Sequence, residues 1–465
     1  MEQEGRITGD DIVGVKLEAA NVDTAGASIS RGSSTVRTFP TPSIGLENIN
    51  RNQPQPRRPS LKHLRIKVVQ PTESALQNLE TILPEISVDP LEALFGTSRL
   101  RVYSERPFLV LARKPIDQRY DYIELLKRIL REIYRISWRA PLYAQHVARR
   151  LTEYQLAMMR AGTAIYVIDL DQLGSGDAEA ERITASSRVA MSLEDRAREA
   201  YAQGFGFLVL YASQYMLQSI QRLWEPRIAS RGLLYTRLPP PLELGIAEDD
   251  AVFELVAAMY GVEYDDIRGA SSLVDAVTMA EHRYYSYLES VASDPTLALL
   301  ARPAVDEEEA KPDEGFIHYA FKMAVLGYLV EAGFDESSID VEQRMSSTIA
   351  VDVLARRSWY NKLAIEVETL YGTGNPTTRL SSVIRDRLAM GYAVWVVVPP
   401  LQASIYAPHL QTLIRRYSGV ESVEFYTLDM SAGSLVPLEE HLKRLGEIAA
   451  RLSRARDRLP ASSIG

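Results

Sequence analysis

Apolar and polar positions fall into blocks of two periods along this chain, near 3.6 and near 2, and the blocks predict its elements. YDYIELLKRILREIYRI (Tyr120 to Ile136) has apolar residues at helical spacing. Before it, LRVYSERPFLVLARK (Leu100 to Lys114) predicts a β-hairpin around Glu105, Arg106 and Pro107. Pro141 opens a second expected helix, LYAQHVARRLTEYQLAMMR. A strand TAIYVIDLD (Thr163 to Asp171), a helix SLEDRAREAYAQ and a strand FGFLVLYA (Phe205 to Ala212) follow, an order that predicts an α/β layer. Residues 248–300 read as helical. The last third is patterned most clearly: helix FIHYAFKMAVLGYLVEA ending at Gly333, strands SIDVEQRM, TIAVDVLARR and KLAIEVETL, then helix TRLSSVIRDRLAMG. Strand YAVWVVVPP, helix APHLQTLIRRY, strand VEFYTLD and a C-terminal helix from Leu438 complete it. YAVWVVV is apolar at consecutive positions, as a strand covered on both faces should be.

The stretches between blocks suggest the organisation. Residues 1–60 are rich in Ser, Thr, Asn, Gly and Pro and read as a disordered tail. Its end is basic (Arg51, Arg57, Arg58, then Lys62, Arg65 and Lys67) and reads as a solvated arm or one that contacts phosphate. Residues 61–247 are expected to form an α/β region and 248–313 a helical connector. The connector ends in the acidic, Pro-bearing DEEEAKPDEG (Asp306 to Gly315), and 314–456 form the last domain. A chain of 465 residues fits two or three domains at about 150 residues each.

Composition narrows the chemistry. Hydrophobic residues make up 46% and charged residues 24%, ordinary for a globular protein. There is no cysteine, so disulfides, thiolate zinc sites and cysteine nucleophiles are excluded, and a cytoplasmic setting is expected. No apolar run reaches about 18 residues, so no membrane partner is expected. Met1 to Asp10 is polar and acidic and does not read as a secretory signal. The net charge of −9 argues against wrapping nucleic acid over the whole surface, but leaves room for a local basic groove.

Three acids stand where strands prefer apolar residues: Asp352 in IAVDVLA, and Glu366 and Glu368 in LAIEVETL. In a strand, Glu366 and Glu368 point to one face, and a hairpin would bring Asp352 beside them. Three converging carboxylates cannot all stay ionised without a compensating charge. A hard divalent cation, Mg²⁺ or Mn²⁺, is the natural compensator, and it suits phosphodiester hydrolysis. The bland alternative is an exposed strand with solvated acids.

This order and spacing resemble the PD-(D/E)XK nuclease superfamily, which includes restriction endonucleases and archaeal Holliday-junction resolvases. The family pattern is an acid in the second strand, then acid-x-Lys in the third. Asp352 matches the first acid and Glu366 the second; Glu368 stands where the family usually has Lys, and Val351 where it often has Pro. The resemblance covers Glu314 to Arg451 and implies a restriction-endonuclease-like mixed sheet flanked by helices. It also implies catalytic Asp352, Glu366 and Glu368, a metal on Asp352 and Glu366, and DNA as the partner, branched or end-bearing forms included. His318 and Lys322 on the preceding helix, and Glu342 in the first strand, match accessory positions of some branches. Lys362 is a candidate for the charge that a third-strand Lys would supply. Arg379, Arg385 and Arg387, on the helix after the third strand, are the expected phosphate contacts, with a solvated helix face as the plain alternative. A homodimer or a protein partner in DNA processing is implied by the same analogy.

The middle region echoes this motif. IDLDQL-GSGD (Ile168 to Asp177) aligns with IEVETLYGTGN (Ile365 to Asn375), placing Asp169 and Asp171 on Glu366 and Glu368. It reads as a decayed repeat or as coincidence between two α/β units. The expected function is metal-dependent cleavage of DNA. The alternative is an inactive nuclease-fold module that binds nucleic acid or helps assemble a DNA-processing complex.

Overall fold

Two sheets of different construction organise the chain. The structure, a computed structural model, describes residues 88–97, 100, 109–138, 144–148, 164–172, 206–230, 240–244, 250–301, 315–345, 349–358, 361–373 and 375–457. The expected tail, the helix SLEDRAREAYAQ and the acidic linker through Glu314 lie outside them.

A short helix α1 (Pro90–Phe95) precedes the first sheet. This sheet holds β1 (Leu109–Arg113), then, after helix α2 (Ile123–Trp138), β2 (Ala144–Ala148), β3 (Ala164–Asp169) and β4 (Phe207–Ala212). The order is β1-β4-β3-β2 and every pair is parallel. All of β4 is buried, which is why FLVLYA carries no polar alternation. Helix α3 (Gln214–Ser230) follows β4 directly.

Two expectations change here. Leu109–Arg113 pairs in parallel with β4 rather than as a hairpin arm, and its other edge meets Leu242; residues 101–108 lie outside the described set. The helix expected from Pro141 is instead strand β2 where it is described, because pairing with β3 overrides a local helical pattern.

Helices α4 (Ala251–Met259), α5 (Leu273–Ala292) and α6 (Pro295–Leu300) link the sheets, as the helical reading of 248–300 expected. Helix α7 (Phe316–Glu331) then precedes β5 (Ile339–Arg344), β6 (Ala350–Ser358) and β7 (Asn361–Val367). Gly333 closes α7 in the left-handed conformation, with φ 83°, and the amide of Phe334 donates back to Leu329. Helix α8 (Pro376–Ala389) starts at Asn375, whose side chain accepts from the Thr378 amide, and leads into β8 (Ala393–Val397). Helices α9 (Pro400–Ile405) and α10 (Ala407–Tyr417) lead to β9 (Val423–Asp429), β10 (Ser434–Pro437) and α11 (Leu438–Asp457).

The second sheet has the order β10-β9-β8-β7-β6-β5. β5, β6 and β7 are antiparallel neighbours, β8 and β9 continue in parallel, and β10 turns back. The mixed α/β sheet expected for the last third is therefore present. β8 is buried throughout, and each fully buried valine in it stabilises the fold by roughly 1.5–3 kcal/mol. Strand β10 was not expected; it pairs antiparallel with β9 and ends at Pro437.

The described residues belong to one compact unit, with a core continuous across the expected boundaries near 247 and 313. Helix α5 packs on both α2 and α7, and α4 packs on α11. Among the described residues no helix is long and apolar enough to cross a membrane.

Candidate functional site

The strand registers align the expected acids. Val353 of β6 lies opposite Ile365 of β7, so one further step sets Asp352 opposite Glu366. Val341 and Gln343 of β5 lie opposite Val353 and Val351, so Glu342 falls opposite Asp352. Glu342, Asp352 and Glu366 thus form one row across three strands, with neighbours roughly 4.5–5.5 Å apart at Cα. Glu368 lies just past the end of β7, where its amide donates to the Val397 carbonyl at 2.8 Å.

The backbone is strained at one end of this row and again just beyond Glu368. Among the described residues, two that are not glycine have left-handed φ: Glu342 at 51° and Leu370 at 64°. Such residues cost on the order of 1–3 kcal/mol each and cluster at functional sites.

Basic side chains meet the acids one by one. Lys322, buried on α7, donates to Glu342 Oε1 at 2.5 Å. His318, one turn earlier, sits with Nε2 3.2 Å from Asp352 Oδ2, which also accepts from the Val367 amide at 2.8 Å. Arg387 Nε donates to Glu366 Oε1 at 2.6 Å and its Nη2 to the Ala350 carbonyl at 2.7 Å.

These contacts divide the acids electrostatically. Burial alone would raise Asp352, but the His318 hydrogen bond and charge, the Val367 amide and Lys322 outweigh it and hold its pKa below the ordinary value. Glu366 is pushed well up, first by burial and then by the Asp352 charge, against the pull of Arg387. Glu368 is pushed up to about 7 by burial and then by Asp352, with Arg379 the leading opposing charge. The donor set is four carboxylates, the oxygen ligands that a hard divalent cation takes, and three of them already meet a basic side chain. As the side chains stand, Glu366 is turned to Arg387 and Asp352 to His318. Among the described residues no three His, Asp or Glu side chains are arranged to hold one ion.

The structure brings Glu342, Asp352, Glu366, Glu368, His318 and Lys322 together. It does not bring Lys362: that residue is exposed, opposite Arg356, with its ammonium 5.7 Å from the Tyr392 ring centroid. Four residues of strand separate it from Glu366, roughly 13 Å. Arg387 also departs from the expectation of a phosphate contact, because it is buried and committed to Glu366 and Ala350. Arg379 and Arg385 are exposed, Arg385 with Nε on the Ser381 carbonyl at 3.2 Å. Sequence reasoning missed the role of Arg387. Its position seven residues after buried Leu380, on the stripe with Val383 and Ile384, was the available signal.

The middle motif is built differently. Lys114 lies 2.5 Å from Asp169 and 3.0 Å from Asp171, and Asp171 accepts from the amide and hydroxyl of Ser213 at 2.7 and 2.8 Å. The strand on the far side of β3 is parallel to it, whereas β6 is antiparallel to β7. The likeness is therefore confined to two adjacent parallel strands, β3–β4 and β7–β8. The GSGD loop lies outside the described residues.

No protein-family model, curated protein or solved structure matches the chain.

Proposed function

We propose that this protein is a metal-dependent nuclease acting on DNA, with its site on β5–β7 of a restriction-endonuclease-like second sheet. The observation that carries the reading is the row Glu342–Asp352–Glu366 with Glu368 two residues beyond Glu366, and with left-handed backbone at Glu342 itself and at Leu370. Asp352 and Glu366 would hold Mg²⁺ or Mn²⁺, which when bound supplies an activated water and neutralises charge on the scissile phosphate. His318 and the Val367 amide fix the orientation of Asp352. Lys322 anchors Glu342 beside it. Glu368, titrating near neutrality, is a further ligand or orients water through its carboxyl oxygen. Arg379, exposed in the first turn of α8, would meet a phosphate oxygen. A cytoplasmic setting belongs to the same reading.

The test is cleavage of linear, flapped and branched DNA with Mg²⁺ or Mn²⁺, comparing wild type with Asp352→Ala. Loss of cleavage with DNA affinity equal or higher supports it, because removing a carboxylate lowers repulsion toward phosphate. A second reading, a non-catalytic nucleic-acid-binding or assembly module, draws on the Arg387–Glu366 pair, which already neutralises one expected ligand. It predicts no cleavage and no Mn²⁺ heat in calorimetry.

A further inference from the structure

The turn that follows the acid-bearing strand is held from the opposite half of the molecule. Glu132 of α2 is 2% exposed, and its Oε2 accepts from the Tyr371 hydroxyl at 2.8 Å and from Gln402 Nε2 at 2.9 Å. Gln402, on α9, also donates to the Tyr371 hydroxyl at 3.1 Å. The Arg135 guanidinium stacks 4.5 Å from the Tyr371 ring centroid, and the Gly372 amide donates to the Arg135 carbonyl at 3.0 Å. Side chain, ring and backbone therefore pin two adjacent residues, Tyr371 and Gly372, directly after Leu370, one of the two left-handed positions among the described residues that are not glycine.

A buried polar network of this kind is a poor way to gain stability, since apolar replacements of similar volume are often as good. Its location suggests another purpose. Glu342, Asp352 and Glu366 each have a direct side-chain partner. The Glu368 carboxylate makes no hydrogen bond or ion pair among the described residues. Its place is therefore set by the backbone, which is fixed on one side by the Glu368 amide on Val397 and on the other by the turn at Leu370 and Tyr371.

We propose that Glu132 is a positioning residue for Glu368, acting through Tyr371 and Gln402, so that the first half of the chain sets the geometry of the acid row. This rests on the acid row being a metal site. The experiment uses the full chain with Tyr371→Phe, Glu132→Gln and Glu368→Gln, singly and combined. It reads Mn²⁺ affinity by titration calorimetry and backbone hydrogen exchange at Glu368.

Tyr371→Phe keeps the ring for Arg135 and removes only the hydroxyl; it should weaken Mn²⁺ binding about tenfold, the usual effect of losing an outer-sphere support. Glu132→Gln keeps an acceptor for Tyr371 but removes the charge that faces Arg131 and Arg135, each 3.5 Å away, so it should weaken Mn²⁺ binding in the same direction as Tyr371→Phe and likewise lose that effect in the Glu368→Gln background. In the Glu368→Gln background the Tyr371→Phe effect should vanish, which a merely structural role would not produce. The Glu368 amide should exchange faster in Tyr371→Phe while β9 amides do not change. An equal loss of affinity in both backgrounds, or unchanged exchange at Glu368, overturns the proposal. Absence of Mn²⁺ binding by wild type overturns the metal reading instead, and exchange at Glu368 still decides whether the clamp acts there.

Discussion

Arg387→Met probes the electrostatics of the acid row most sharply. The guanidinium and the Glu366 carboxylate are both nearly buried, at 9% and 6% side-chain exposure. Removing one partner of such a pair costs about 3–5 kcal/mol, because the other is left uncompensated. The Ala350 carbonyl also loses its donor, which adds about 1 kcal/mol. Glu366 limits the loss by taking up a proton, since burial and Asp352 already push its pKa upward. The net expectation at pH 7 without divalent metal is a destabilisation of about 3–5 kcal/mol, read from urea unfolding. Glu366→Leu combined with Arg387→Met removes both charges and should recover at least half of that loss. Mn²⁺ should bind the Arg387→Met protein more tightly than wild type, because a competing cation has left the Glu366 carboxylate. A loss below about 1 kcal/mol, no recovery in the double variant, or weaker Mn²⁺ binding by a folded single variant would refute the role given to this pair.

Two further predictions concern the scaffold. His441 is pushed down to about 4, first by burial and then by Arg444, so it is neutral in the folded chain at neutral pH. Its unfolded value is about 6.5, so stability present above that pH should be lost as pH falls toward 4, by on the order of 3 kcal/mol. His441→Gln should flatten that slope in unfolding measured from pH 7 to 4, and an unchanged slope would contradict it. Gly261 has φ 68°, and a Cβ there would meet the Leu428 carbonyl oxygen at 2.7 Å and Pro400 Cγ at 2.9 Å. Gly261→Ala should destabilise by about 1–3 kcal/mol in urea unfolding, and a neutral effect would contradict that packing.

The parts of this fold that rest on local periodicity were legible in the sequence. The run from α7 through β8 could be read because its elements carry their own periods, with a stop signal such as Gly333 after α7. The acids stood out because charged residues interrupt apolar strands. Features made by distant partners were not legible. β2 carries a helical pattern and becomes a strand only because β3 lies beside it. Arg387 and Glu132 both occupy apolar stripes of amphipathic helices, seven residues after Leu380 and Leu125, so their burial was readable, but the partners that explain it were not. Lys362 looked near Glu366 along the chain, yet strand geometry extends that separation to roughly 13 Å.

The most direct measurement is Mg²⁺-dependent cleavage of linear, flapped and branched DNA by the full chain beside its Asp352→Ala variant, with Mn²⁺ binding followed by calorimetry. Asp352 is the centre of the row, opposite both Glu342 and Glu366. Wild type should bind Mn²⁺ and cleave at least one of these DNAs, and Asp352→Ala should abolish cleavage while retaining or increasing DNA affinity. Cleavage that survives Asp352→Ala, or a wild type that neither cuts DNA nor binds Mn²⁺, would contradict a metal-dependent nuclease site on β5–β7.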